Sequence, residues 1–73
     1  MHAMRRRPLT SSVLASAGYD AEARILELQF VSGDVYRYWI VPERVWKGLL
    51  AAESAGRYFA DEIRDRYPTE KSN

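Results

Sequence analysis

The sequence predicts an α+β fold: a three-stranded antiparallel β-meander followed by two helices packed on one sheet face, in the order βββαα. Three observations predict it. The spacing of apolar residues changes once along the chain, from two to about 3.6, at Pro42. Two turn-forming runs, Asp20-Ala21-Glu22-Ala23 and Ser32-Gly33-Asp34, cut the alternating half into three segments. The break at Ser54-Ala55-Gly56 cuts the remainder into two helical ones. Helices that follow an antiparallel sheet in the chain settle on one of its faces.

The first strand is expected over residues 12–19, where Val13, Ala15, Ala17 and Tyr19 alternate with Ser12, Leu14, Ser16 and Gly18. Asp20 suits the turn that follows, because its carboxylate accepts from backbone N–H groups two residues on. The second strand, residues 24–30, sets Leu26, Leu28 and Phe30 on one face and Glu27 and Gln29 on the other. Gly33 supplies the positive φ of a tight hairpin. The third strand spans residues 35–41.

Burial selects the loop length of this second hairpin. A two-residue loop would set Phe30 opposite Arg37 and Leu28 opposite Trp39. A three-residue loop gathers Leu26, Leu28, Phe30, Tyr36, Tyr38 and Ile40 on one side. A one-residue slip exchanges the faces of a strand, so the uniform apolar side predicts the odd loop. Val35, Arg37, Trp39 and Val41 then share the reverse face, with Trp39 partly exposed.

Pro42 ends the strand and fits the first position of a helix, where its missing N–H costs nothing. That helix covers residues 43–53. Val45, Leu49 and Ala52 mark its apolar stripe, which Trp46 and Leu50 widen. Gly48 weakens the helix interior by roughly 1 kcal/mol relative to Ala, so close packing against the sheet is the expected reason for it. A second helix, residues 57–66, buries Phe59, Ile63 and Tyr67, and Pro68 closes it. The predicted core is therefore Leu26, Leu28, Phe30, Tyr36, Tyr38, Ile40, Val45, Leu49, Phe59 and Ile63.

A chain of 73 residues makes one domain. Residues 12–67 form its body, with residues 1–11 a flexible basic arm and 68–73 a flexible tail. With no cysteine, neither a disulfide framework nor a thiolate metal site is available. No apolar run approaches the ~20 residues of a membrane span. The leading residues, with Met4 an alternative start, lack the apolar stretch of a secretory signal. A cytoplasmic protein with no membrane partner is expected. The formal charge is +1, from 11 basic and 10 acidic residues. Without Arg5, Arg6 and Arg7 the count is 8 against 10, a balance of −2, so the positive charge resides in the arm.

Catalytic chemistry finds little to work with. His2 is the only histidine and falls in the arm. The serines therefore lack a base, and nucleophilic catalysis needs one. Asp61, Glu62 and Asp65 are interleaved with Arg57, Arg64 and Arg66, the pattern of a solvated helix face. Gly33 and Gly56 are isolated and cradle no phosphate. A non-enzymatic protein without metal or cofactor is expected.

Two features point to binding. Arg5, Arg6 and Arg7 can hold phosphates without reading sequence. Tyr36 and Tyr38, with Arg37 between them, have the spacing of a base-stacking platform, although the hairpin register assigns both rings to the core. Trp39 and Trp46 are candidates for an exposed aromatic patch suited to a protein partner or a second copy, with Val35 and Val41 beside Trp39 on the reverse face.

The chain resembles the KTSC domain family, found at the C-terminus of some lysyl-tRNA synthetases and as free-standing bacterial proteins. The likeness spans residues 12–67 and rests on Gly18-Tyr19-Asp20, Phe30, Gly33, Tyr36-x-Tyr38 and Val41-Pro42. It continues through Ser54-x-Gly56-x-Tyr58-Phe59 and Ile63-Arg64-x-x-Tyr67. Ala60 stands where many relatives have asparagine. The resemblance implies no catalytic residue, and its synthetase context suggests RNA, tRNA included, as the ligand. The expected function is a small binding module. For RNA, Arg5, Arg6, Arg7, Arg37, Arg57 and Arg64 would meet phosphates. For a protein partner or self-association, Trp39, Val35 and Val41 would form the contact.

Overall fold

A computed structural model describes residues 5–73; His2 and Met4 lie outside them. The chain runs through strands β1 (Arg7–Pro8), β2 (Leu14–Asp20), β3 (Ile25–Phe30) and β4 (Val35–Tyr38). Helices α1 (Glu43–Ala51) and α2 (Ala55–Glu62) follow, then strand β5 (Thr69–Lys71). The α+β class holds, but the antiparallel sheet has five strands in the order β1-β2-β3-β4-β5, not three. Both segments expected to be irregular add an edge strand. Arg7 pairs with Ala17 and Pro8 with Ser16 at one side, and Thr69, Glu70 and Lys71 pair with Tyr38, Arg37 and Tyr36 at the other.

The second hairpin has the predicted odd loop. Leu26 faces Tyr38 and Leu28 faces Tyr36. Phe30 N–H donates to the Asp34 carbonyl at 2.8 Å across Val31, Ser32 and Gly33, and Gly33 sits at φ +100°. In the first hairpin the Asp20 carboxylate accepts from Glu22 N–H at 3.0 Å and Ala23 N–H at 3.1 Å, as its turn chemistry requires.

The first strand departs from simple alternation. Its register shifts between Leu14 and Ser16, leaving Ala15 as the extra residue of a bulge. Leu14 and Ala17 are thereby both fully buried, while Val13 is 43% exposed. The third strand is also shorter than expected, because Ile40 takes φ +61°. That left-handed step reverses the parity of the chain. Ile40, expected in the core, is 67% exposed, and Val41, expected outside, is fully buried.

Both helices lie on the face that carries Leu26, Leu28 and Tyr38. Val45 and Leu49 of α1 and Phe59 of α2 join the buried cluster with those residues, and Ile63 just beyond α2 completes it. Phe59 meets Phe30 and Tyr38 edge-on, at centroid distances of 5.3 and 6.0 Å, and Phe30 meets Tyr36 the same way at 5.7 Å. Such pairs contribute about 0.5–1.5 kcal/mol each beyond their buried area. Trp46 of α1 stacks on Tyr19 at 5.8 Å, and the Tyr19 hydroxyl donates to the Val41 carbonyl.

The helix ends differ slightly from expectation. Pro42 is the extended residue before α1, not its first helical one. Ser54 opens α2 by accepting from Arg57 N–H at 3.2 Å, so Ala55 and Gly56 are helical. Asp65, at φ +64°, turns the chain away after α2 and back toward β4.

Candidate functional site

The helices cover one side of the sheet and leave the side chains of the other open to a ligand. β-strand alternation decides which ones. Ser16 and Gly18 on β2, Glu27 and Gln29 on β3, Val35 and Arg37 on β4, and Glu70 on β5 all point there. Arg6 lies one residue before the Arg7–Ala17 pair and shares the same side.

A charged row crosses this face. Glu27 is 8% exposed and accepts from Arg37 Nε through Oε2 at 3.0 Å. Its other oxygen, Oε1, is 3.5 Å from Arg6 Nε. Gly18 stands opposite Glu27, so no side chain separates Arg6 from the carboxylate. One carboxylate therefore holds two arginines in fixed positions, with their side chains still 32% and 46% exposed. Beside this row Ser16 Oγ donates to Gln29 Oε1 at 3.0 Å.

At the β4–β5 end the face dips into a hollow of about 180 Å³ lined by Arg37, Trp39, Glu70, Lys71 and Ser72. Trp39 N–H donates to the Pro68 carbonyl at 2.9 Å, which holds the half-buried indole at the margin of β5. Lys71 lies 3.4 Å from Asp34. The side chain of Asn73 closes the same corner, accepting from Val35 N–H at 3.0 Å and donating to the Gly33 carbonyl at 3.1 Å.

The predicted contact residues do not form one surface. Arg6 and Arg37 meet on the open face; Arg5 and Arg7 are exposed, and Arg7, opposite the buried Ala17, falls on the other side of the β1 edge strand. Arg6 is ion-paired and Arg7 is in a strand, so the basic arm is part of the sheet margin. Arg57 in the first turn of α2 and Arg64 beyond its end are exposed in the helical layer, apart from that row. Tyr36 and Tyr38 belong to the covered side, as the register implied, and offer no platform. Of the predicted protein-contact set, Trp39 and Val35 are half-buried on the open face, whereas Val41 is in the core.

Sequence reasoning missed Glu27, Glu70, Lys71 and Ser72 as members of this surface. Glu27 was within reach, because the predicted face parity already sets it on the same side as Arg37, although a loop at Ser32-Gly33-Asp34 would place it opposite Trp39. The β5 residues carried no signal, since Thr69-Glu70-Lys71 has no apolar alternation.

Among the described residues no group of three histidine, cysteine, aspartate or glutamate side chains is placed to hold a metal, and no helix is long and apolar enough to cross a membrane.

The sequence profile of the KTSC domain matches residues 10–67. An uncharacterised protein of Stutzerimonas stutzeri is 54% identical over 64 residues, covering 88% of this chain and 90% of the relative. A crystal structure of a KTSC domain protein from Yersinia pestis superposes with a TM-score of 0.94 at 39% identity, covering 97% of this chain and all of that one. A protein of Nostoc punctiforme named lysine–tRNA ligase is 33% identical over 60 residues; the match covers 82% of this chain and 11% of the ligase.

Proposed function

This chain belongs to the KTSC domain family, and from that premise we propose that it is a non-enzymatic cytoplasmic module that binds single-stranded RNA on its open sheet face. The observation that carries the reading is the placement of Arg37 beside Trp39 on the side without helices, with Arg6 held in the same row by Glu27. An indole stacks on any base, and a guanidinium fixed at its margin meets the adjoining phosphate. Arg5 and Arg7 are exposed at the β1 edge and add positive charge beside the row, though Arg7 lies on the other side of the strand. Arg57 and Arg64 lie in the other layer, so the contact set narrows to Arg5, Arg6, Arg7, Arg37 and Trp39. Occurrence of a matching segment in a protein named as a tRNA ligase supports RNA as the ligand class by association.

A protein partner or a second copy is the rival occupant. Burial of Val41 removes one of the three residues that would have made the patch apolar, which favours the polar ligand.

Fluorescence anisotropy of a labelled single-stranded RNA and a tRNA, at two salt concentrations, tests the reading. Binding is expected to weaken with salt, with a slope of about −0.7 per phosphate engaged on the single strand, and to fall in Arg37→Ala and Trp39→Ala. Absence of binding to either RNA at low salt would overturn it. Self-association that is lost in Trp39→Ala would then assign the face to a second copy.

A further inference from the structure

Resting on the RNA reading, we infer that the hollow beside Trp39 is a subsite for a single guanine base. Its volume of about 180 Å³ is below the ~300–1,000 Å³ of a pocket for a drug-sized ligand, the scale of a single base and not of a whole nucleotide. Trp39 forms one wall and supplies the stacking surface. Glu70, paired in register with Arg37, brings a carboxylate to the rim on the same side of the sheet.

The chemistry of that carboxylate selects the base. An ionised glutamate accepts hydrogen bonds through two oxygens and donates none. Guanine presents two adjacent donors on its Watson–Crick edge, N1–H and the 2-amino group, and they match the two oxygens. Adenine and cytosine each set an acceptor beside their amino group, and uracil flanks its one N–H with two carbonyls. A carboxylate facing any of these three meets an acceptor that repels it. Arg37, cross-strand from Glu70 on the same wall, provides a cation for a flanking phosphate. The guanine thus sits with its ring on Trp39, its donors on Glu70 and a flanking phosphate toward Arg37.

The test uses labelled oligouridine octamers carrying one central guanine, adenine, cytosine or no replacement, titrated with the full chain and with Glu70→Ala. The guanine octamer is expected to bind about tenfold tighter than the other three, and Glu70→Ala is expected to bring all four to parity. Glu70 is exposed on an edge strand, and an unchanged melting temperature confirms that the variant is folded. Four equal affinities, preference for another base, or a guanine preference that survives in Glu70→Ala would overturn the subsite and leave the RNA reading standing. Failure of every octamer to bind would overturn both.

Discussion

Tyr58 of α2 fills the space that a side chain at Gly48 of α1 would occupy: a methyl built there would lie 2.7 Å from Tyr58 Cζ and 2.9 Å from Cε2. The close approach anticipated for this glycine is therefore made to the neighbouring helix and not to the sheet. In an unobstructed helix Gly→Ala stabilises by about 1 kcal/mol. Here overpacking outweighs that gain, and Gly48→Ala is expected to destabilise by about 1–3 kcal/mol. Urea denaturation of Gly48→Ala, Tyr58→Ala and the double variant measures the coupling. Additive effects would mean that the two residues do not share the site.

Ile40 offers the opposite opportunity. A β-branched residue at φ +61° is strained, because its Cβ crowds the backbone in the left-handed region, and 67% exposure gives little packing in return. Asparagine enters that region more readily. Ile40→Asn is expected to raise stability by about 0.5–1 kcal/mol, read as a higher urea midpoint with unchanged slope. A lower midpoint would show that the exposed isoleucine makes contacts that matter more than the strain.

Glu27 joins stability to the proposed function. Removing it leaves Arg6 and Arg37 without their shared partner. The pair is neither fully exposed nor fully buried, so Glu27→Ala is expected to cost about 1–2 kcal/mol. The same change frees two cations on the open face, and RNA binding should tighten while its salt dependence steepens. Weaker binding by a folded Glu27→Ala variant would indicate that ordered arginines matter more to the ligand than free ones.

How far the residues alone foretold this surface depends on the kind of signal each carries. That Leu26, Leu28, Tyr36 and Tyr38 share a side followed from burial, since an odd loop collects the apolar residues there. The observed loop is Val31-Ser32-Gly33, however, and shifts the pairing by two residues from the one that Ser32-Gly33-Asp34 gives. The same parity set Glu27 and Arg37 on one face without pairing them. The bulge at Ala15 was hidden because Val13 and Leu14 are both apolar, and either could have been the inward one. Ile40 and Val41 misled for a related reason: their hydrophobicity continues the strand pattern, while a single left-handed φ reverses it. β5 is a strand through its backbone pairing with β4, which leaves no mark on side-chain chemistry. The hollow beside Trp39 takes Glu70, Lys71 and Ser72 from β5 and the residue after it, so the candidate site was legible only at Arg37 and Trp39.

That last strand should be structural in solution. Trp39, Val35 and Arg37 each bond to residues 68–73, and Asn73 spans the β3–β4 turn. Ending the chain after Tyr67 leaves Trp39 N–H without its Pro68 partner and opens the β4 edge. Net intramolecular hydrogen bonds contribute about 0.5–1.5 kcal/mol each, so the truncated form is expected to lose several of these increments. Amide exchange at Val35 and Trp39 should accelerate in it. Equal denaturation midpoints for the two lengths would return residues 68–73 to the role of a dispensable tail.

Alkaline pH should probe the aromatic core. Tyr38 is pushed above its ordinary value near 10 chiefly because burial penalises the phenolate, and burial likewise raises Tyr19 and Tyr58. In the unfolded chain these phenols ionise near pH 10, whereas in the folded one they hold their protons to higher pH. The folded state therefore binds more protons in that window, and stability must fall as pH rises through it. Their contribution is complete below about pH 10 and is lost as pH climbs through the folded-state values. Urea midpoints should hold from pH 8 to about 9.5 and then decline. Phenolate absorbance should rise together with the loss of structure, because the buried rings ionise once exposed. Tyr38→Phe removes one of the linked groups and should shallow the decline. Ionisation of Tyr19, Tyr38 and Tyr58 at about pH 10 in a chain that still melts cooperatively would mean that their rings are open to solvent.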